Sequence, residues 1–376
     1  MSAFAVKGWC PDAWHPMMAG DGLLVRVRPR LGRLTREQAL GLCAAVGAYG
    51  NGQIDATQRA ALQIRGVAEA GWRPLLDTLA MLDLIDVNPA REARANILVA
   101  PGWQEGDDTH RIATELLARL DDLPALPGKF GFVVDAGDAP VLHDHPGDLR
   151  IERGEHGGLI LRADGRDTGV ALDPGSEVAA LIAVSHWFVA SGGGAAKRMA
   201  RHSASLPGWA AGTCRPARAA VKPAPGPQPL GLVAALPFGR IDADVLARFV
   251  TDHSVAAVRV TPWRMVIFEG IAPASAATLN PATETATVHV DACVGAPACP
   301  QATVETRALA RALAPHVAGT LHVSGCAKGC ARARPADVVL TGRDGRFDLV
   351  RHGRAGDAPL LTGLAPDQIL AELGAV

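Results

Sequence analysis

The chain has 376 residues and a formal net charge of −1, with 48% hydrophobic and 20% charged residues. This length suffices for two or three domains with full cores, and the composition is that of an ordinary globular protein. The near-neutral charge excludes nucleic-acid binding by overall electrostatics, and no apolar run is long enough to cross a bilayer. Seven cysteines without an apolar signal core at the N-terminus indicate a reducing compartment, so we expect a cytoplasmic protein.

An internal repeat organises the chain. Residues 20–67 and 229–271 both read as strand, Gly-Arg turn, helix and strand, with a Thr-x-(x)-Arg element entering the last strand. Such self-similarity predicts two related half-domains about a pseudo-two-fold axis. In the first copy, Thr35 and Gln38 form a predicted capping box for the helix, and Gly50 ends it.

The first repeat also predicts a basic sheet face. In its first strand, the alternation of side chains places Arg26 and Arg28 opposite the apolar residues. The same period places Gln63 and Arg65 on one face of the last strand, with Arg59 just ahead of it. Arginine binds carboxylates bidentately, which suits a ligand rich in carboxylates. A face of solvated arginines is the ordinary alternative.

Two longer segments follow the repeats, at 88–220 and 282–376. The Pro-rich stretch 221–229 (VKPAPGPQP) separates the two halves and is predicted to be an extended, semi-rigid linker. Within the first long segment, the apolar run Val178–Ala190 predicts a buried helix, with His186 as a core histidine. Within the second, Ala336–Thr341 and Arg346–Val350 flank the turn Gly342–Gly345 and predict a hairpin after Cys330.

Four cysteines near the C-terminus form two pairs. Cys293 and Cys299 have the spacing C-x5-C, and Cys326 and Cys330 have the spacing C-x3-C, each pair in a glycine-rich turn. Two such pairs can converge on one metallocentre, and four thiolates are the ligand set of a [4Fe–4S] cluster. Glycine lets the backbone approach the sulfur atoms and direct N–H groups at them.

Two other readings of the cysteines stay open at this point. Structural zinc also takes four thiolates, although C-x5-C is wide for a zinc knuckle, and the cysteines could also be unliganded core residues. Disulfides do not fit a reducing compartment. Pro300 suits the first position of a helix, which would place the Cys299 thiolate near a positive helix end.

The chain resembles the nitrite/sulfite reductase haemoprotein family over nearly its whole length, and within it most the precorrin-3B synthases of aerobic cobalamin biosynthesis. The resemblance rests on RVRPRLGRLTREQ, YGNGQIDATQRAALQIRG, NILVAPGW, LPGKFGFVVD and TPWRMVIF, together with the cysteine pairs. It implies an α+β fold duplicated about a pseudo-two-fold axis. The implied parts are ferredoxin-like half-domains at 1–87 and 230–281, a linker at 221–229, and nitrite/sulfite reductase-like α/β domains at 88–220 and 282–376, the last carrying the cluster.

The resemblance also implies site residues. A [4Fe–4S] cluster would be held by Cys293, Cys299, Cys326 and Cys330. The positions that match contacts to an anion or a tetrapyrrole are Arg28, Arg59, Gln63, Asn96 and Lys129, with Arg264 matched through the repeat.

Two departures from the sulfite reductases bear on the reaction. Those enzymes carry an arginine just before the Asn96 position, where this chain has Ala95, and a second lysine two residues beyond Lys129, where it has Gly131. Both basic groups serve the small oxyanion substrate, so their absence argues against sulfite reduction. Sirohaem and precorrin-3A share a methylated macrocycle ringed by acetates and propionates, so one arginine-lined cavity can hold either.

The implied activity is O₂-dependent monooxygenation: hydroxylation of precorrin-3A at C20 with closure of a γ-lactone. The alternatives are a sirohaem-dependent nitrite or sulfite reductase and a non-catalytic tetrapyrrole carrier with a structural cluster. No dinucleotide fingerprint is present, so electrons are expected from a separate reductase, or from NADH bound elsewhere. The internal duplication favours a monomer.

The synthases are associated with a mononuclear non-haem iron, whose ligands the sequence does not identify. The run His143-Asp144-His145 has the donors of a two-histidine, one-carboxylate site, but neighbouring side chains in a loop rarely converge, and a solvated turn is the alternative. Cys10 is either a ligand, a thiol near the substrate or a buried free cysteine, the last being the default.

Overall fold

The computed structural model describes residues 11–272 and 289–374. In these ranges the chain forms four five-stranded β-sheets and nine α-helices. None of these helices is long and apolar enough to span a membrane. The α-helices are Arg36–Tyr49, Glu69–Met81, Pro89–Arg94, Asp108–Ala118, Glu177–Ala190, Gly193–Ala196, Ala243–Asp252, Arg307–Leu313 and Pro366–Glu372.

The sheets are numbered I to IV by the position of most of their strands along the chain. Sheet I contains, in spatial order, Met17–Ala19, Gly22–Val27, Leu62–Val67, Gln53–Ala56 and Arg240–Asp242. Sheet II contains Val170–Ala171, Leu159–Ala163, Leu149–Arg153, Phe132–Asp135 and Ile97–Val99. Sheet III contains Gly226–Gln228, Gly231–Ala235, Met265–Glu269, Ala257–Val260 and Arg33–Thr35. Sheet IV contains Val290–Ala292, Leu321–Ser324, Ala336–Arg343, Arg346–Gly353 and Leu361–Leu364.

Sheets I and III exchange one strand. Arg33–Thr35, from the first repeat, pairs antiparallel with Ala257–Val260 of sheet III. Arg240–Asp242, from the second repeat, pairs antiparallel with Gln53–Ala56 of sheet I. The two repeats are therefore hydrogen-bonded to each other at both sheets, in a reciprocal way that fits a pseudo-two-fold duplication.

The predicted Gly-Arg turns lead into these exchanged strands. Leu31 and Phe238 both adopt positive φ, at 53° and 55°, and each precedes a glycine that also has positive φ. The predicted capping box is present, because the Gln38 N–H donates to Thr35 Oγ1 while the Thr35 N–H donates to the Gln38 side chain. The helix that follows ends at Gly50, as predicted.

The helices of the two repeats share one hydrophobic core. Arg36–Tyr49 packs against Ala243–Asp252. Leu42 on the first helix and Val250 on the second are fully buried in the core cluster that also contains the apolar faces of sheets I and III. A single repeat exposes this face, so each copy covers the other.

Sheets II and IV have a second design in common. Each combines three parallel strands with two antiparallel ones. The predicted hairpin after the last cysteine is confirmed, since Ala336–Arg343 pairs antiparallel with Arg346–Gly353. The helix predicted over Val178–Ala190 is present as Glu177–Ala190, but His186 is exposed and lies 2.8 Å from the Asp122 carbonyl oxygen. The core position predicted for that histidine is wrong, because it lies on the outer face of the helix.

Candidate functional site

The cysteines lie at one edge of sheet IV. Cys293 directly follows the strand Val290–Ala292, and Cys326 comes two residues after the strand Leu321–Ser324. These two strands are parallel neighbours, so their carboxyl ends meet at the same edge. The Gly325 N–H donates a hydrogen bond to Cys293 Sγ at 3.1 Å. The topology therefore brings together one cysteine of each predicted pair.

The loop that carries Cys293 and Cys299 is closed by backbone hydrogen bonds. The Cys299 N–H donates to the Gly295 carbonyl at 2.8 Å, and Thr306 Oγ1 donates to the Cys293 carbonyl at 2.7 Å. Gly295 has φ +69°, and a Cβ there would lie 2.8 Å from Thr306 Oγ1, so glycine is required. Pro300 lies in a turn and starts no helix, contrary to the prediction, because the chain turns again before the next helix begins at Arg307.

The second cysteine loop is similarly compact. Ser324 Oγ donates to the Cys326 carbonyl at 2.7 Å, and the Gly329 N–H donates to the same oxygen at 3.4 Å. Gly329 has φ +62°. Cys330 is exposed, so this loop presents its last thiol at a surface.

The four thiols influence one another electrostatically. Burial raises the pKa of Cys326, and neighbouring atoms desolvate the Cys330 thiol enough to raise its pKa although the residue as a whole is exposed. The charges of the other cysteines, Cys293 and Cys299 among them, raise both pKa values further. In residues 11–272 and 289–374, no group of three or more Cys, His, Asp or Glu side chains is close enough to hold a single metal ion. The four thiols thus lie within electrostatic reach of one another.

Side chains of the first repeat hold the first cysteine loop in place. The Ala298 carbonyl accepts hydrogen bonds from the Gly20 N–H at 2.9 Å and from Arg65 Nη2 at 3.3 Å. Arg65 is itself fixed by two hydrogen bonds to Asp21, at 2.8 and 2.9 Å, and only 5% of its side chain is exposed. Arg65 therefore supports the loop and does not line an open basic face, contrary to the predicted strand pattern.

The second cysteine loop is held by both repeats. The carbonyl of Ala331, the residue after Cys330, accepts hydrogen bonds from Gln58 Nε2, at 3.0 Å, and from Arg264. Arg264 also forms an ion pair with Asp291. Gln58 and Arg264 come from the Thr-x-(x)-Arg turns of the first and second repeats, so the pseudo-symmetric turns meet at this loop.

Arg59 and Asn96 come together next to the same turn. Arg59 Nη1 lies 3.4 Å from Asn96 Oδ1, and Asn96 Nδ2 donates to the Phe130 carbonyl at 2.7 Å. Lys129, which precedes Phe130, is partly exposed. Because Arg59 directly follows Gln58, this polar group adjoins the loop of Cys330.

The other predicted contacts lie on the first strands of sheet I. Arg26 and Gln63 are cross-strand partners and are partly exposed, as the predicted alternation requires. Arg28 continues the same face, but its Nη1 lies 3.8 Å from Glu92 Oε1. Burial raises the pKa of Glu92. Arg28 is thus next to a buried carboxyl group.

A side chain at position 131 would crowd Asn96. A Cβ on Gly131 would lie 2.6 Å from Asn96 Nδ2 and 3.1 Å from the Asn96 carbonyl oxygen. Ala95 is partly buried among apolar neighbours of sheet II. Neither Ala95 nor Gly131 carries a positive charge, and the space around position 131 is filled by Asn96.

The run His143-Asp144-His145 does not form a metal site. His143 and Asp144 are exposed and Asp144 pairs with Arg334 at 3.1 Å, whereas the His145 ring packs edge-on to Trp263. Burial lowers the pKa of His145 to about 4. Cys10 lies outside the described residues.

Sequence reasoning missed a group of charged residues behind the first cysteine loop. Asp55 accepts two hydrogen bonds from Arg240, at 2.7 and 3.0 Å, and lies 3.5 Å from Arg307 and 3.9 Å from Arg65. These four residues come from three strands of sheet I and one helix. No local pattern connects them, although the repeat aligns Arg240 with Arg33, which also binds a carboxylate across the exchanged strand.

Comparison with known proteins agrees with this architecture. The nitrite/sulfite reductase ferredoxin-like half domain matches residues 15–82. The structure of the NirA protein of Mycobacterium tuberculosis superposes with a TM-score of 0.58 at 18% identity, covering 91% of this chain and 77% of that one. The fold is thus that of the nitrite/sulfite reductases, with two ferredoxin-like half-domains that exchange a strand.

A curated relative carries the comparison further. A protein of Sinorhizobium sp. named precorrin-3B synthase is 30% identical over 398 residues, which cover 94% of this chain and 84% of that protein. The chain therefore belongs to the nitrite/sulfite reductase-like family that includes precorrin-3B synthase. The membership and fold class predicted from the sequence are confirmed.

Proposed function

We propose that this protein is an oxidoreductase of cobalamin biosynthesis, a precorrin-3B synthase that hydroxylates precorrin-3A at C20 with formation of a γ-lactone. The observation that carries the proposal is the 30% identity to a precorrin-3B synthase along 94% of the chain. In this reaction one atom of O₂ enters the substrate and the other leaves as water, so two electrons and two protons must come from a donor. A separate reductase, or NADH, is the proposed donor.

The donor set at the edge of sheet IV fits a [4Fe–4S] cluster. Four thiols lie within electrostatic reach of one another, and Cys293 Sγ already accepts a backbone N–H. Hydrogen bonds to sulfur and local charge are the means by which a protein adjusts such a cluster. When bound, the cluster supplies one-electron transfer. Cys293, Cys299, Cys326 and Cys330 are its proposed ligands.

The chain's own residues would bind and orient the macrocycle. The exposed Cys330 and the Arg59–Asn96 pair adjoin each other through Gln58. A guanidinium at this place can bind a substrate carboxylate in two hydrogen bonds, and Asn96 holds it in position. We assign Arg59, Asn96 and Lys129 to the substrate carboxylates, with Arg28 and Gln63 farther along the same sheet. Arg264 is occupied by Asp291 and Ala331, so its proposed role is to position the cysteine loop.

Two features disfavour the reductase alternative. The sequence resemblance aligns Ala95 and Gly131 with basic groups of the sulfite reductases, and a side chain at position 131 would crowd Asn96. A small oxyanion would therefore find fewer cations than in those enzymes. The described residues bring together no set of three ligands for a mononuclear iron, so we assign no residue to O₂ activation.

Turnover of precorrin-3A under O₂ tests the proposal. Purified protein with a reductase and NADH should convert precorrin-3A to a product heavier by one oxygen atom, with one NADH oxidised for each product formed. Incubation under ¹⁸O₂ should place one labelled atom in that product. Substrate returned unchanged under all donors would favour the carrier, and strong Soret and red absorption bands would favour a sirohaem reductase.

A further inference from the structure

One buried arginine near the cysteines has no complete set of partners. Only 13% of the Arg307 side chain is exposed, and its Nε and Nη1 atoms are buried without a hydrogen-bond partner in the described part of the chain. Its Nη2 lies 3.5 Å from Asp55 Oδ1, longer than a good charged hydrogen bond. The guanidinium lies 6.0 Å from the Phe238 ring centroid. A buried charge this poorly satisfied is costly unless something else compensates it.

The residues around Arg307 leave an excess of positive charge. Asp55 is its nearest carboxylate, but Asp55 is already bound twice by Arg240 and is also 3.9 Å from Arg65. Asp21 is the carboxylate that neutralises Arg65. Among the described residues, three guanidinium groups and two carboxylates share this buried region, which leaves one positive charge unbalanced.

The chain places that excess charge next to the first cysteine loop. Arg307 directly follows Thr306, whose hydroxyl holds the Cys293 carbonyl at 2.7 Å. Arg65, from the same charged group, reaches the carbonyl of Ala298, the residue before Cys299. The charge on Cys293 is among those that act on the Arg307 guanidinium. The charged group thus contacts the Cys299 end of the loop through Arg65, and Arg307 is the chain neighbour of Thr306, which contacts the Cys293 end.

We infer that Arg307 is a positioning and tuning residue for the cluster: its unbalanced positive charge compensates the negative charge of the four-thiolate cluster and raises the cluster's reduction potential. This inference rests on the proposed cluster, not on the identity of the substrate. Reduction adds one negative charge to the cluster, so a buried cation nearby stabilises the reduced form more than the oxidised form. Local charge and hydrogen bonds are known determinants of such potentials.

Arg307→Met removes the charge while keeping much of the apolar stem. Asp55 keeps its two hydrogen bonds from Arg240, so the variant leaves no orphaned carboxylate. Arg307→Lys keeps the charge. Arg311→Met is the matched control, since Arg311 lies one turn along the same helix, is exposed and contacts the same Phe238 ring, with its guanidinium 5.3 Å from the centroid.

The test is an EPR-monitored redox titration of the three variants and the wild type, with iron and sulfide analysis of each preparation. Arg307→Met should shift the reduction equilibrium at least tenfold toward the oxidised cluster, which is about 59 mV for a one-electron couple. Arg307→Lys and Arg311→Met should shift it less than threefold. Equal potentials in Arg307→Met and Arg311→Met would overturn the inference.

A second measurement does not depend on the potential. In cluster-free protein the uncompensated charge destabilises the fold, so Arg307→Met should raise the melting temperature. In cluster-loaded protein this increase in melting temperature should vanish or become a decrease. Arg311→Met should behave alike in both forms. An Arg307→Met effect that is equal in both forms would contradict charge compensation. A wild-type protein that binds no cluster would refute the cofactor proposal itself, a result distinct from unchanged potentials in a loaded protein.

Discussion

Replacing Gly131 with alanine tests whether the turn beside Asn96 is closed to larger side chains. The new Cβ would lie 2.6 Å from Asn96 Nδ2, a distance that real Cβ atoms do not adopt. The backbone is held on both sides, because the Gly131 N–H donates to Asp148 Oδ2 at 3.0 Å and its carbonyl accepts from the Asp148 N–H at 2.7 Å. The Asn96 amide must therefore swing away from the Phe130 carbonyl that it now binds.

The expected change in the free energy of unfolding of Gly131→Ala is the sum of three terms. Overpacking costs about 1–3 kcal/mol, and leaving the carbonyl of the buried Phe130 without its donor costs about 1–3 kcal/mol. Alanine restricts the unfolded chain, which offsets about 0.4–1 kcal/mol. We expect Gly131→Ala to lower the free energy of unfolding by about 2–4 kcal/mol.

Urea denaturation followed by tryptophan fluorescence measures this change. Gly128→Ala is the matched control, because a Cβ on Gly128 meets nothing within 4 Å and its stability should change by less than about 0.5 kcal/mol. If both variants unfold at the same urea concentration with the same slope, the steric argument about position 131 is wrong. The same displacement should deprive Arg59 of its partner and weaken macrocycle binding.

Three further predictions concern the cluster, the substrate and pH. Cys326→Ser should abolish the broad visible absorption of the cluster. Cys214→Ser, at a cysteine distant in sequence from the two pairs, should leave that absorption unchanged. Full iron and sulfide content in Cys326→Ser would contradict the ligand assignment. Arg59→Ala should weaken tetrapyrrole binding roughly tenfold to a hundredfold, because one charged hydrogen bond is lost, and it should leave the cluster absorption intact. If a binding titration shows unchanged affinity, Arg59 does not belong to the site. Burial raises the pKa of the Asp135 carboxyl group from 3.8 to about 6. The folded state therefore binds the carboxyl proton more tightly than the unfolded state does. As a result, the contribution of Asp135 to stability falls as the pH rises from about 4 to about 6. Asp135→Asn, whose amide oxygen can still accept the Val141 and Leu142 N–H groups, should therefore gain stability over wild type across that window, by up to about 3 kcal/mol; a difference that does not vary with pH would show that Asp135 titrates normally.

Several features of the fold were accessible from local patterns. The capping box at Thr35, the end of the helix at Gly50 and the hairpin after Cys330 depend only on residues a few positions apart, and all three are confirmed. The alternation along the first strand correctly separated the apolar face from Arg26, because side-chain direction in a strand follows from sequence parity.

Local sequence patterns were less informative where the position of a residue depends on a partner distant in the sequence. Arg65 has the parity of Gln63, yet Asp21 and the Ala298 carbonyl bind it in the interior. The Pro-rich stretch 221–229 predicts an extended linker, which stays a prediction, and the pattern does not reveal that Gly226–Gln228 within it is an edge strand of sheet III. Proline and glycine occur in both settings, and only the neighbouring strand distinguishes them.

By itself, the sequence identified the residues to which the proposed chemistry is assigned: the two cysteine pairs, the glycines that let their loops turn, and the arginines of the first repeat. The spacing along the chain is enough for such features because they are short-range. Only the tertiary structure decided that the repeats exchange strands, that Gln58 and Arg264 meet at one carbonyl, and that Arg307 and Asp55 lie together behind Cys293. Those contacts join residues separated by dozens to hundreds of positions, and they exist because each half of the chain must bury its apolar face and its charges against the other.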